Sequence, residues 1–315
     1  LKVATGRQFS ETLGLGLPTC GAFPKSTNQN MNPYHEFVAA LVRLTEDGKR
    51  LPLGGIDTPF RSPTDADAPA ALIFSPHPDD ECIIGGLALR LLREAGMRII
   101  NVAVTLGSHR ERQSARWQEL KDACDWLGFD VESTGPHGLE RVNLNTRQHE
   151  PAHWESSVKV IASILAKNQP RALFFPHESD WNSTHIGTHF LVMDALKTLP
   201  PDFECFLIET EFWRSMETPN LMVESSVGDA AELVGALSFH VGEMKRNDYH
   251  LRLPAWLQDN VRRGAEVVGG QGGEAPDFAL ATLYKISRWQ RGRQEDVPLN
   301  QRQIGIKDDP AKIFG

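Results

Sequence analysis

The chain lacks several features that mark whole classes of protein. It has four cysteines in 315 residues, Cys20, Cys82, Cys124 and Cys205, and no CxxC pair among them. That argues against a structural zinc finger and against a dense disulfide framework. Cys82 and Cys124 fall in apolar helical patterns, so they are expected as buried free thiols in a reducing compartment. No apolar run approaches the roughly 18–20 residues of a membrane span. No charged segment followed by an apolar one opens the chain as a secretory signal would, so a cytoplasmic protein is expected. There is no run of Lys and Arg, and the formal charge is −8, which argues against a non-specific nucleic-acid binder. Internal repeats are absent. The glycine-rich GGQGG (269–273) lacks the Lys-Ser/Thr of a phosphate-binding loop and reads as a flexible loop.

What is present is a core. Hydrophobic residues make up 40% of the chain, ordinary for a globular protein. Residues 1–30 have little periodicity and read as a tag or upstream extension, or as an extended arm packed on the domain. Residues 31–69 form a helix and a loop, with Phe37, Leu41 and Leu44 on one helical face. From residue 70 to 289 a single catalytic domain is expected. In it strand-like runs (70–76, 98–106, 171–176, 204–213) alternate with helical ones (81–95, 110–128, 154–168, 185–199). Further on, residues 229–239 read as a helix and 277–289 as a closing strand. Gly128 suits a helix C-cap. Residues 290–315 read as a polar, peripheral tail. Continuous apolar strands separated by amphipathic helices predict an α/β fold. It should be a Rossmann-like, mostly parallel sheet with helices on both faces, plus a C-terminal extension.

The chemistry gathers at the ends of these strands. SPHPDDECIIGG (75–86) packs one histidine, two aspartates and one glutamate into five positions, directly after a buried strand. LGSHRERQ follows the second strand, and PHESDWNSTHIGTH follows the strand at 171–176. In an open α/β sheet ligands bind outside the carboxyl ends of the strands, so the three clusters can meet at one edge. His77 and Asp80, three apart across a turn, can aim a ring nitrogen and a carboxylate oxygen at one point. A catalytic zinc needs a third protein ligand and an open position, and His185 and His189 both stand on the helix after DWNST. A His/Asp/His set suits Zn²⁺, with other divalent ions admissible. Asp79 beside the pair can serve as general base and later acid, with a metal-acidified water as nucleophile. Arg110 and Arg112, near the second strand end, can hold a sugar hydroxyl or an acidic group. Arg116 lies further along and can instead pair with Glu119 on a solvated helix face.

Strand-PHPDDE-helix, followed by HRERQSARWQELKDACDWLG and DWNSTHIGTH, resembles the PIG-L/LmbE family of zinc-dependent N-acetylglucosaminyl deacetylases. The resemblance runs from about residue 70 to about residue 245. It implies that His77, Asp80 and His185 bind the metal, in preference to His189, and that Asp79 is the base. It puts Asn182 where the family often has an oxyanion-stabilising histidine. An amide can donate a hydrogen bond there but cannot carry a proton to the leaving amine, so Asp79 would serve as both base and acid, or His189 or His240 would compensate. His240 matches a poorly kept block near the C-terminal part and is read as substrate-binding with Arg110 and Arg112.

The function so implied is a zinc-dependent hydrolase that removes an acetyl, or another acyl, group from an N-acetylated amino sugar or glycoconjugate. Two alternatives stay beside it: an amidase on a non-sugar or thiol-conjugate amide, and a metal-retaining binding protein without catalysis. The expected partner is the small-molecule substrate, with no nucleic acid and no membrane; a homo-oligomer is admissible.

Overall fold

The computed structural model describes residues 32–61 and 64–315, so the reading of residues 1–30 lies outside the described residues. By its contacts the chain divides into a unit ending at Glu46 and a unit from Asp47 to Gly315. In the first, α1 begins at His35 and runs to Gly48 with no buried residue. The predicted helix is present. Its Phe37, Leu41 and Leu44 stand exposed, so its apolar stripe is not a core face among the described residues.

The second unit is built on one sheet. Its strands in chain order are β1 (Ala70–Ser75), β2 (Arg98–Ala103), β3 (Asp130–Ser133), β4 (Ala172–Pro176), β5 (Cys205–Thr210), β6 (Leu221–Glu224), β7 (Ala281–Gln290), β8 (Arg293–Asp296) and β9 (Gln303–Ile304). Their order across the sheet is β3-β2-β1-β4-β5-β7-β6-β9, with β8 paired to β7. The first five strands are parallel. β7 runs antiparallel between β5 and β6. The helices are α2 (Asp80–Ile83), α3 (Gly86–Arg93), α4 (Arg110–Leu127), α5 (Leu144–His149), α6 (Pro151–Asn168), α7 (Ser183–Leu196), α8 (Val227–Ser238), α9 (Val241–Arg246) and α10 (Leu253–Val267).

β1 shows why the run AALIFS forms a central strand. Every residue of it is buried. Ala71 and Ile73 join the layer formed with α3, α4 and α8, whereas Leu72 and Phe74 join the layer formed with α6 and α7. Alternate side chains thus enter opposite apolar layers, so neither face can be polar. Cys82, Cys124 and Cys205 are buried and free, as expected for the first two.

The chain leaves β1 towards β2 and β3, then returns to place β4 on β1's other side. The seam between β1 and β4 is therefore the point where strand order reverses, where open α/β sheets leave a crevice at their carboxyl ends.

Two predictions need correction. The single helix at 81–95 is two helices, α2 and α3, broken at Gly85. This residue has φ +83, and a Cβ there would lie 2.0 Å from Thr282 Oγ1 of β7. A glycine is required both by the dihedral and by the close approach of a neighbouring strand. The tail from 290 is not peripheral: β8 and β9 extend the sheet, and Ile313 and Phe314 are buried in the same layer as α3. Arg90, 1% exposed, ties this segment down by donating to Asp308 O at 2.7 Å and Glu224 O at 3.3 Å, while Glu94 pairs its charge at 2.8 Å. The tail reads as polar because its buried residues are few and widely spaced.

Gly85→Ala is expected to destabilise the protein by about 3 kcal/mol or more, since strain and overpacking act together. Urea unfolding followed by circular dichroism checks this; a midpoint equal to wild type would contradict the packing described.

Candidate metal centre

β1 ends at Ser75, and the next turn carries His77, Asp79 and Asp80. β4 ends at Pro176, and the following loop delivers His185 in the first turn of α7. The clusters after β1 and β4 thus face each other across the seam. His77 Nδ1 lies 3.3 Å from His185 Nε2, His185 Nε2 lies 3.3 Å from Asp80 Oδ2, and His77 Nδ1 lies 3.4 Å from Asp80 Oδ2. Ligands about 2.0–2.1 Å from a tetrahedral zinc stand about 3.3–3.4 Å from one another. The three atoms therefore have the spacing of three corners of such a site, and these residues can hold a divalent ion. Asp80 and His185 are buried, whereas the His77 side chain is 21% exposed, and His77 and Asp80 line a cleft.

Asp80 and His185 have neighbours behind them. The backbone N–H of His77 donates to Asp80 Oδ2 at 2.8 Å, closing the turn. Behind His185, Asp180 Oδ1 lies 3.6 Å from Nδ1. Asp180 is itself fixed by the N–H groups of Asn182 (2.9 Å) and Trp213 (3.2 Å), and the Phe212 ring meets the His185 ring edge-on at 4.7 Å. Such packing fixes the orientation of the His185 ring. Burial works to raise the Asp80 carboxyl, but the two histidines outweigh it and hold Asp80 well below the usual carboxylate range. For His185, burial works downwards and the Asp80 carboxylate prevails, raising the imidazole. Among these side chains the site presents a carboxylate that attracts positive charge.

His189 is not part of this set. Its Nδ1 lies 3.0 Å from Pro176 O, and burial pushes the imidazole down to about 4, so it is a neutral packed ring.

Asp79 has φ 123, outside the regions an L-residue normally adopts; such strain persists only where surroundings hold it. Its N–H donates to Glu81 Oε2 at 3.0 Å, and the Tyr249 hydroxyl donates to its Oδ2 at 2.6 Å. Arg116 Nη2 is 3.9 Å from the same oxygen. Burial, reinforced by Asp80, pushes the Asp79 carboxyl up to about 7 against the opposing pull of His240, Arg116 and Tyr249. A carboxyl so placed can take up and return a proton at neutral pH.

These groups open onto a cleft of about 730 Å³ whose walls include Arg110, Arg112, Arg116, Asn182, Trp213 and Tyr249. Arg110 reaches Glu140 at 2.6 Å. Asn182 caps α7 through Oδ1, which accepts the N–H of Thr184 at 2.8 Å, so its amide NH₂ is what it has to offer the cleft. His240 requires a correction. It is 1% exposed, absent from the cleft wall and bonded to Glu81 at 2.7 Å. Its side chain faces Glu81 rather than the cleft. Glu81 does not stand out as a site residue in the sequence, although it lies inside the HPDDE string. Tyr249 lies 170 residues from Asp79, and no local pattern announces their contact.

Residues 72–196 match the family model described as GlcNAc-PI de-N-acetylase, PIG-L. A probable N-acetyl-alpha-D-glucosaminyl L-malate deacetylase 2 of Bacillus cereus is 28% identical over 144 residues, 42% of this chain and 62% of that relative. The chain thus spans less than two thirds of that curated relative. Among solved structures, a conserved protein of Thermus thermophilus superposes with a TM-score of 0.50 at 19% identity, covering 68% of this chain and 93% of the other. N,N'-diacetylchitobiose deacetylase from Pyrococcus horikoshii does so with a TM-score of 0.50 at 17% identity, covering 82% and 94%. Both structural likenesses are of fold.

The rise of Asp79 from an ordinary 3.8 to about 7 has a consequence for stability. The protonated carboxyl is favoured in the folded state, so its contribution is fully present below about pH 4 and lost as pH climbs through about 7. In metal-free protein, Asp79→Asn is therefore expected to unfold later than wild type at pH 8, with the advantage shrinking towards pH 4. Thermal melts in chelator across that range test it; an advantage that stays constant with pH would refute the assignment.

Proposed function

We propose that this chain, which carries the PIG-L/LmbE deacetylase fold, is a metal-dependent hydrolase that removes acetyl from the nitrogen of an amino sugar or its conjugate. The observation that carries this reading is the triangle of His77, Asp80 and His185 with the buried carboxyl of Asp79 beside it. The Bacillus cereus and Pyrococcus horikoshii proteins, described as deacetylases of N-acetylated sugar compounds, support the substrate class.

A divalent ion held by His77, Asp80 and His185, zinc by the donor set, would polarise the amide carbonyl and bring the pKa of a water to about 7. The protein's own residues do the rest. Asp79 takes a proton from the water as the new C–O bond forms. It returns that proton to the nitrogen as the C–N bond breaks, giving acetate and free amine. Tyr249 occupies Oδ2, which leaves Oδ1 for the transfer. Burial raises the Asp79 carboxyl above the ordinary carboxylate range, which favours its accepting and returning a proton. The Asn182 amide can donate to the developing oxyanion but has no proton to give the amine, so Asp79 must serve in both directions. Arg110 and Arg112, on the cleft wall, would take a hydroxyl or acidic group of the substrate.

With zinc-loaded protein and a panel of N-acetylated sugars and other acyl amides, Asp79→Asn should keep its metal but lose about 10²–10⁴-fold in turnover. His185→Ala should lose tight zinc, and His189→Ala should keep it. Elemental analysis and acetate release read both. Full turnover by Asp79→Asn, or zinc retained by His185→Ala, would defeat the reading. Release from non-sugar amides alone would transfer it to the amidase alternative.

A further inference from the structure

We infer that Glu81, held by His240, is a positioning residue that fixes the peptide plane carrying Asp79. The inference rests on the reading of Asp79 as the proton carrier and adds what sets its geometry.

Glu81 is fully buried, at 0% exposure. A carboxylate at such a place persists only when its oxygens are occupied by donors. Here both are. Oε1 meets His240 Nε2 at 2.7 Å and Cys82 Sγ at 3.2 Å, and Oε2 accepts the Asp79 N–H at 3.0 Å. Glu81, Cys82 and His240 also cluster as a metal set would. The 2.7 Å contact is instead that of a charge-assisted hydrogen bond, shorter than the 3.3–3.4 Å separations of the triangle at His77.

The other end of the same peptide is held too. Pro78 O accepts from Arg116 Nη2 at 3.0 Å. The Pro78–Asp79 peptide is thus clamped at its carbonyl by α4 and at its N–H by Glu81. Between them they fix the orientation from which Asp79 departs at φ 123. An L-residue leaves that conformation when released, and its carboxyl would move with it. His240 sits where α8 meets α9, anchored by its own N–H to Leu237 O at 3.0 Å. A rigid junction far along the chain therefore sets the aim of Asp79 through Glu81. Neither Glu81 nor His240 lines the cleft; the effect runs through the backbone of one residue.

The test uses the whole zinc-loaded chain, with N,N'-diacetylchitobiose as the turnover probe. Glu81→Ala should lower kcat by about 10²-fold, the usual cost of a misplaced reacting group, with KM and zinc affinity held within about threefold. Glu81→Gln, which keeps an oxygen for the Asp79 N–H, should recover most of that loss. In ¹⁵N-labelled protein the Asp79 amide proton should move upfield in Glu81→Gln, because a carboxylate acceptor has become a neutral one. That measurement stands alone if Glu81→Ala does not fold or the probe is not turned over. A kcat within about threefold of wild type in Glu81→Ala, a turnover loss that follows zinc loss, or an unmoved Asp79 amide would each overturn the inference. An active Glu81→Ala beside an inactive Asp79→Asn removes the clamp and leaves the function; an active Asp79→Asn removes the function itself.

Discussion

The arrangement that governs this molecule is the mutual approach of two ring nitrogens and one carboxylate oxygen across the seam between β1 and β4. Three polar atoms within 3.4 Å of each other, two of them on buried side chains, are costly unless positive charge lies among them. The fold makes the approach unavoidable. The reversal of strand order sets the loops after β1 and β4 side by side, and both strands are too apolar to slide without exposing one of two core layers. The geometry of the ligands is thus an outcome of sheet register as much as of the ligands themselves.

α7 shows how that register chooses between similar residues. His185 and His189 are four apart and share a helix face, so spacing alone cannot separate them. Their depth along the helix does. His185 sits in the first turn, at the mouth of the seam, with Asp180 behind it. His189, one turn further in, meets the carbonyl of Pro176 at the end of β4 and is neutral there. A helix entering a sheet from its carboxyl edge offers only its first turn to the crevice.

The legible part of the protein follows from this. β1, β2, β4 and β5 are buried on both faces and read as apolar runs. The polar string after each is conspicuous because it interrupts them. Residues 77, 79, 80 and 185 stand out in this way. What the sequence hides has a physical reason each time. β3 is partly exposed and only four residues long. β6 has just four residues, and β8 and β9 carry few apolar ones. α1 has a stripe like a core face, yet exposure rather than periodicity decides whether such a stripe is buried. Gly85 breaks a helical pattern because β7, about two hundred residues later, comes too close for a side chain. Tyr249 and His240 reach Asp79 and Glu81 from elements joined to them only in space.

Asn182 does two structural jobs at the mouth of the seam. As N-cap it contributes to α7's first turn, the turn that presents His185, and its N–H also restrains Asp180 behind that ring. A histidine at this position would give the cleft an ionisable donor but a poorer cap, since Asn is among the strongest N-cap residues. On the proposed reading, proton return falls to Asp79, whose buried carboxyl accepts the Tyr249 hydroxyl and lies near Arg116. Rigidity in α7 and strain at Asp79 thus stand side by side: His185 is placed by a regular helix, and Asp79 by an irregular backbone that its neighbours hold in place.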